Sequence, residues 1–180
     1  VSTCSHVRVE LACSAHVRVE LACSPHVRVE LACSPHARVE LACSPHARVE
    51  LACSPHARVE LACSPHARVE LACSPHARVE LACSPHARVE LACSHARVEL
   101  ACSHARVELA CSHARVELAC SHARVELACS HARVELACSH ARVELECSHV
   151  RVELACSHVR VGFLSFLLQT KIMPGRLIGD

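Results

Sequence analysis

The sequence lacks tryptophan and tyrosine, and its two phenylalanines, Phe163 and Phe166, lie near the C-terminal end. The large apolar side chains before Phe163 are therefore only Val and Leu, helped by Ala and Cys. Burying one Val or Leu gives roughly 1.5–3 kcal/mol, whereas ordering ten residues costs on the order of 15 kcal/mol. A short stretch of this chain cannot fold alone, so an ordered state requires many stretches stacked on one another.

The chain also lacks an excess of either charge, since 19 Lys and Arg face 18 Asp and Glu. No basic cluster or aromatic platform is present, and these are the features of a nucleic-acid binder. We therefore expect no nucleic-acid partner. The first residue is Val1, and no basic segment followed by an apolar run, as in a signal peptide, comes after it. The sequence thus assigns no compartment.

What the chain has is a tandem repeat of low complexity. The ten residues LACSPHARVE occupy 41–50 and recur without change as far as Glu90. After Cys93 the proline is lost and the unit becomes SHARVELAC, with nine residues. The array spans 1–161, with mostly ten-residue units in 1–93 and nine-residue units in 94–161, and an apolar tail of unique sequence follows at 162–180.

The units differ only towards the ends of the array. Val27 and Val150 stand where interior copies have Ala, and Glu146 stands where they have Ala155. Such uniform interiors arise by unequal exchange in tandem DNA, and both periods correspond to whole codons. The leading hypothesis is therefore the translation of an expanded minisatellite-type repeat, with no specific biochemical function.

One unit shows strict alternation, with Val7, Val9, Leu11 and Cys13 on one face and Arg8 between the first two. This pattern is typical of a β-strand. A ten-residue period shifts a helical face by 80°, and a nine-residue period reverses it, so neither sustains a helical seam. The sequence predicts an all-β, solenoid-like stack of short strands with turns at Ser-Pro-His. The alternatives are a continuous helix in the proline-free half or a disordered chain.

The pairing of the strands stays open at this point. In-register parallel stacking places Arg over Arg and Glu over Glu, which is unfavourable, whereas antiparallel pairing centred on Val9 sets Arg8 opposite Glu10. The units lack the Gly, Asn or Asp that tight hairpins favour. Exposed strand edges of this composition also favour self-association.

Cysteine and histidine recur in every unit. Cys13 and His16 have C-x-x-H spacing, which contracts to C-x-H from Cys93 and His95. Two units offer a ligand set that suits zinc, so a Cys/His metal-binding protein is one alternative function. Because the spacing changes midway, we assign no metal site and no cofactor, and expect only incidental zinc or copper binding.

A disulfide-cross-linked structural protein is the second alternative, in which in-register stacking brings successive Cys within bonding reach. The 17 cysteines would then leave one thiol over. The same stacking would bring successive His side chains close together and lower their pKa values.

An enzyme is not expected, because catalysis needs one constellation held in one pocket. The same Cys/His pair recurs in every unit, so the sequence identifies no single pocket, and no catalytic residue is assigned.

The tail interrupts the repeat. Its apolar run at 162–168 is about a third of the roughly 20 residues that a membrane-spanning helix needs, so no membrane span is expected. We interpret the tail as translated flanking sequence, with a strand or helix capping the last unit as the alternative. Pro174-Gly175 predicts a turn.

Overall fold

The computed structural model describes an all-β chain. The described residues are 6–13, 16–23, 26–33, 36–43, 46–53, 56–63, 66–73, 75–83, 85–163 and 167–172. The strands are β1 (His6–Cys13), β2 (His16–Cys23), β3 (His26–Cys33), β4 (His36–Cys43), β5 (His46–Cys53), β6 (His56–Cys63), β7 (His66–Cys73), β8 (His76–Cys83), β9 (His86–Phe163) and β10 (Leu167–Ile172).

Strands pair in parallel with the strand two units further along the chain. β1 pairs with β3 so that His6 lies opposite His26, and the same register holds between β2 and β4. One turn therefore takes 20 residues and contributes one strand to each of two sheets. β1 to β8 form four such turns. The 78-residue β9 continues through further turns, pairs with both β7 and β8, and so joins the two sheets into one connected ten-stranded sheet. The prediction of a β-solenoid of short stacked strands is confirmed.

The nine-residue block is also β-structure, so the alternative of a continuous helix there is wrong. Its turn shortens to 18 residues, as the ring contact between His95 and His113 shows. An odd period fits because alternation is interrupted at the corner: Ser112 and His113 are both exposed, between buried Cys111 and Ala114. The corner turns the chain, and the apolar face again points inwards.

The sequence predicts turns at Ser-Pro-His, but each His of the ten-residue block begins a strand and so does not lie in a turn. Pro75 and Pro85 form bends, and most other corner residues lie outside the described part of the chain. The carbonyl oxygens of Pro75 and Pro85 accept hydrogen bonds from the backbone N–H groups of His95 and His104, respectively, both at 2.7 Å. These bonds join the last ten-residue units to the first nine-residue units.

The core lies between the two sheets. Each apolar position of the unit forms a column in it, in which the same inward-facing side chain stacks from turn to turn. The central Val is fully buried, with 0% exposure from Val29 to Val152, and the neighbouring Leu is nearly so. Val7 and Val9 are only half-buried, because β1 pairs with β3 along one edge and with no other described strand along the opposite edge. The predicted inner and outer faces are thus confirmed, although the side chains of Leu11 and Cys13 lie outside the described set.

Parallel register does place Arg over Arg, and the outer face compensates for it. From Arg8 to Arg151, each Arg side chain pairs with the Glu two residues along its own strand, for example Arg106 Nε with Glu108 Oε1 at 2.6 Å. Some guanidinium groups also reach the next turn, where Arg88 Nη2 lies 3.9 Å from Glu108 Oε1. Alternating charge within each strand therefore offsets repulsion between like residues of successive turns.

The tail contributes β10, which pairs with β9 in the 18-residue register that places Leu167 opposite His149 and Lys171 opposite Glu153. This backbone pairing agrees with the alternative of a capping strand, although the composition departs from that of the units. The turn predicted at Pro174-Gly175 lies outside the described residues. In the part of the chain that the structure describes, no helix is long and apolar enough to cross a membrane.

Candidate functional site

Two columns of imidazole rings run along the outer faces, one on each sheet. The first imidazole column contains His6, His26, His46, His66, His86, His104, His122, His140 and His158. The second imidazole column contains His16, His36, His56, His76, His95, His113, His131 and His149. Ring centroids of successive members are 4.7 to 5.1 Å apart, and every ring is exposed.

For two of these rings, protonation is less favourable than for a free imidazole. The pKa values of His36 and His46 are lowered from 6.5, first by partial desolvation and then by the two neighbouring imidazoles of the same column. For both residues the prediction of lowered pKa values is confirmed. The contribution of the neighbouring imidazoles follows from the parallel register, which places like residues at the shortest distance between strands.

Cysteine side chains form a second kind of column, inside the solenoid. Among the residues from 93 to 156, the Sγ atoms of Cys93 and Cys111 lie 3.9 Å apart, and those of Cys102 and Cys120 lie 3.7 Å apart. Nearer the C-terminal end, the Cys156 thiol donates a hydrogen bond to the carbonyl oxygen of Leu136. Thiols of successive turns are therefore in contact in both sheets.

This environment disfavours the thiolate. The pKa of Cys120 rises to about 12, because it shares a hydrogen bond with Cys102 and is buried. The pKa of Cys129 rises to about 11, with its contact to Cys111 as the leading cause. Since the thiolate is the nucleophile and the metal ligand, these cysteines are poorly reactive in the folded chain.

The structure does not bring cysteine and histidine together into the suggested zinc set. Cys93 is buried in the core, whereas His95, two residues on, is exposed on the outer face. Among the described residues, no group of three or more His, Cys, Asp or Glu side chains is placed to hold a metal ion. Within a strand, alternation sets His6 and Arg8 on the face opposite Val7, but it does not reveal that the corner separates Cys93 from His95.

Open grooves follow the columns along both outer faces. One groove on each sheet is bordered by the Glu column and floored by the exposed Ala column, as at Glu99 and Ala101. Another lies between the imidazoles and the Arg side chains, as at His86 and Arg88. Each groove repeats the same side chains at every turn.

Comparison with known proteins finds no family model, no curated protein and no solved structure that matches this chain. Three features of the described residues recur from turn to turn: the outer imidazole columns, the interior cysteine columns and the outer grooves.

Proposed function

We propose that the chain is a non-catalytic structural β-solenoid whose array grew by expansion of a tandem DNA repeat. The supporting observation is that the central Val of each unit from Val29 to Val152 has the same complete burial. Any faithful copy of a unit supplies the same inward Val, Leu and Cys and the same outward His, Arg and Glu. Expansion by whole units therefore extends the fold without requiring new contacts.

Deletion of one whole unit tests this structural equivalence. Removing residues 113–121 joins Ser112 to His122 and restores the repeat, so the solenoid should persist with a small loss of stability, because only one unit and its interfaces are lost. The matched control deletes Val116 alone, which reverses inside and outside for the rest of that strand. Far-UV circular dichroism and urea unfolding measure both. Equal loss of structure in the two variants would contradict the proposal.

The encoding DNA tests the origin. We expect neighbouring units to be near-identical at synonymous positions as well as in amino-acid sequence, because recent copying preserves both. Sequencing the array decides this. Saturated synonymous positions with unchanged amino acids would instead show long selection on the protein sequence.

The thiol contacts favour a second candidate, a solenoid cross-linked along its cysteine columns. With glutathione disulfide as oxidant, Cys102 and Cys120 would lose two protons and two electrons, form one S–S bond and release two molecules of glutathione. They lie on successive turns of β9 with their Sγ atoms 3.7 Å apart, and the spacing of neighbouring turns is one that a disulfide can bridge.

Thiol titration distinguishes the reduced from the cross-linked solenoid. In the reduced, folded protein we expect the thiols of Cys111, Cys120 and Cys129 to react with an aromatic disulfide reagent about 10²-fold or more slowly than in the unfolded chain, because their pKa values are raised. All 17 should react in guanidinium chloride. A denatured titre that rises only after a reductant is added would instead establish cross-linking.

A further inference from the structure

We propose that the two imidazole columns bind divalent transition-metal ions, each ion held between the imidazoles of two successive turns. This site differs from a Cys/His zinc centre, because it uses histidine alone and lies on the outer face. Imidazole nitrogen suits Zn²⁺, Ni²⁺ and Cu²⁺. The remaining coordination positions would be filled by water, in keeping with pairs of ligands rather than groups of three.

The distances permit such pairs. Two nitrogens on one tetrahedral ion with metal–nitrogen bonds of about 2.0–2.1 Å are roughly 3.3 Å apart, and the ring centroids of successive histidines are 4.7 to 5.1 Å apart. Both exposed rings must turn until their nitrogen lone pairs converge on the ion, because most successive rings are stacked nearly parallel, as for His36 and His56 at 3°. Some pairs already differ in orientation, by 51° between His86 and His104 and by 75° between His131 and His149.

Charge and competition also favour the imidazoles. The cationic residue nearest along the strand is Arg, and it is neutralised by its Glu partner, as in Arg97 Nε to Glu99 Oε1 at 2.6 Å. The competing soft ligands are the buried thiols, whose pKa values are raised, as for Cys120. At neutral pH the imidazoles are the accessible neutral nitrogen ligands of the outer face.

Paired binding predicts a stoichiometry. If each imidazole serves one ion, the eight members of the second column hold four ions, and the nine members of the first column also hold four. Titration of the reduced wild-type chain with Ni²⁺ at pH 7.5, followed by calorimetry, should therefore approach eight ions per chain. About 17 weak, equivalent sites would overturn the proposal.

Two variants with the same number of histidines test whether binding depends on successive histidines or only on how many histidines are present. Both replace eight of the 17 histidines by Thr. The spaced variant replaces His26, His66, His104, His140, His36, His76, His113 and His149, and leaves no two successive members in either column. The block variant replaces His104, His122, His140, His158, His95, His113, His131 and His149, and leaves five and four successive members.

We expect the block variant to bind about four Ni²⁺ ions with wild-type affinity. The spaced variant should bind about 10²-fold more weakly, because the second ligand no longer acts intramolecularly. Equal binding by the two variants would overturn the proposal. A thiolate-to-metal charge-transfer band with Co²⁺ as the probe would also overturn it, since cysteine would then be the ligand.

Folding of the variants is checked by circular dichroism, and the wild-type chain provides an independent test if a variant unfolds. Unfolding the reduced wild-type chain in urea, with the exposed thiols alkylated so that they cannot bind the metal, separates the imidazoles of successive turns. Ni²⁺ affinity should then fall about 10²-fold. Unchanged affinity would show that stacking plays no part.

Discussion

Lowering the pH of the reduced protein from about 7.5 to about 5 should disperse any associated particles and sharply reduce its resistance to urea. Protonation of the 17 histidines would carry the formal net charge from +1 towards about +18. Those charges would stand 4.7 to 5.1 Å apart along two columns. Repulsion should therefore oppose both the stacking of turns and contact between chains.

The direction in which stability changes with pH follows from the lowered pKa values of His36 and His46. Between the folded pKa and the unfolded value of 6.5, the unfolded chain binds more protons than the folded chain. The free energy of unfolding therefore falls as the pH drops through about 6.5, and levels off below the folded pKa. Glutamate remains mostly ionised at pH 5, so the Arg–Glu pairs are retained and the change is attributable to histidine.

Urea midpoints and light scattering at the two pH values measure this effect, and added salt should reduce it by screening. The spaced variant is the matched control, because its remaining imidazoles have no neighbour in the column. It should lose less stability per histidine than the block variant. A particle size and urea midpoint that do not change with pH would contradict electrostatic control by the imidazole columns.

Val116→Asp should be the most damaging single substitution of its strand, with a loss on the order of 4 kcal/mol in the free energy of unfolding. Val116 has no exposed surface, and Val98 and Val134, at the same position of the neighbouring turns, have none either. The new carboxylate would have no cationic partner in this apolar column. It must remain unpaired, be protonated, or force the turn open.

Ala119→Asp is the control in the same strand. Ala119 is exposed on the outer face, and the chain itself carries a carboxylate at the equivalent position, where Glu146 is exposed. We expect a change within about 0.5 kcal/mol. Equal losses in the two variants would show that the inner and outer faces are wrongly assigned.

The loss caused by Val116→Asp should also be local. Each turn contacts only the turns beside it, so protection against hydrogen exchange should fall in the turns of Val98, Val116 and Val134 and persist in distant turns. Exchange followed by mass spectrometry measures this. Uniform loss along the whole chain would indicate a single cooperative unit.

Much of this fold follows from alternation alone. The positions of Val7, Val9 and Arg8 predict a strand with one apolar face, and the ten- and nine-residue periods exclude a helical seam. Alternation could not decide between parallel and antiparallel pairing, because the Arg–Glu spacing suits antiparallel strands directly. Parallel register becomes acceptable through the pairing of each Arg with the Glu of its own strand, which is a matter of side-chain geometry.

The candidate site was only partly predictable. Contact between histidines of successive turns follows from stacking at a fixed period, and so does contact between cysteines. The separation of Cys93 from His95 depends on the corner, where two consecutive residues face outwards and the simple alternation stops. Spacing along the sequence therefore suggested a shared Cys/His ligand set that the turn of the chain separates.

Because every turn of a given block has a fixed number of residues, the length of the coding sequence sets the length of the solenoid. Each added pair of nine-residue units is 54 nucleotides of coding sequence and lengthens the rod by one strand spacing, about 4.8 Å. The ten-residue block needs 60 nucleotides for the same increment. The nine-residue unit, which lacks the proline codon, therefore gives more length per nucleotide, and arrays that differ in the copy number of this unit would encode rods of graded length with the same cross-section.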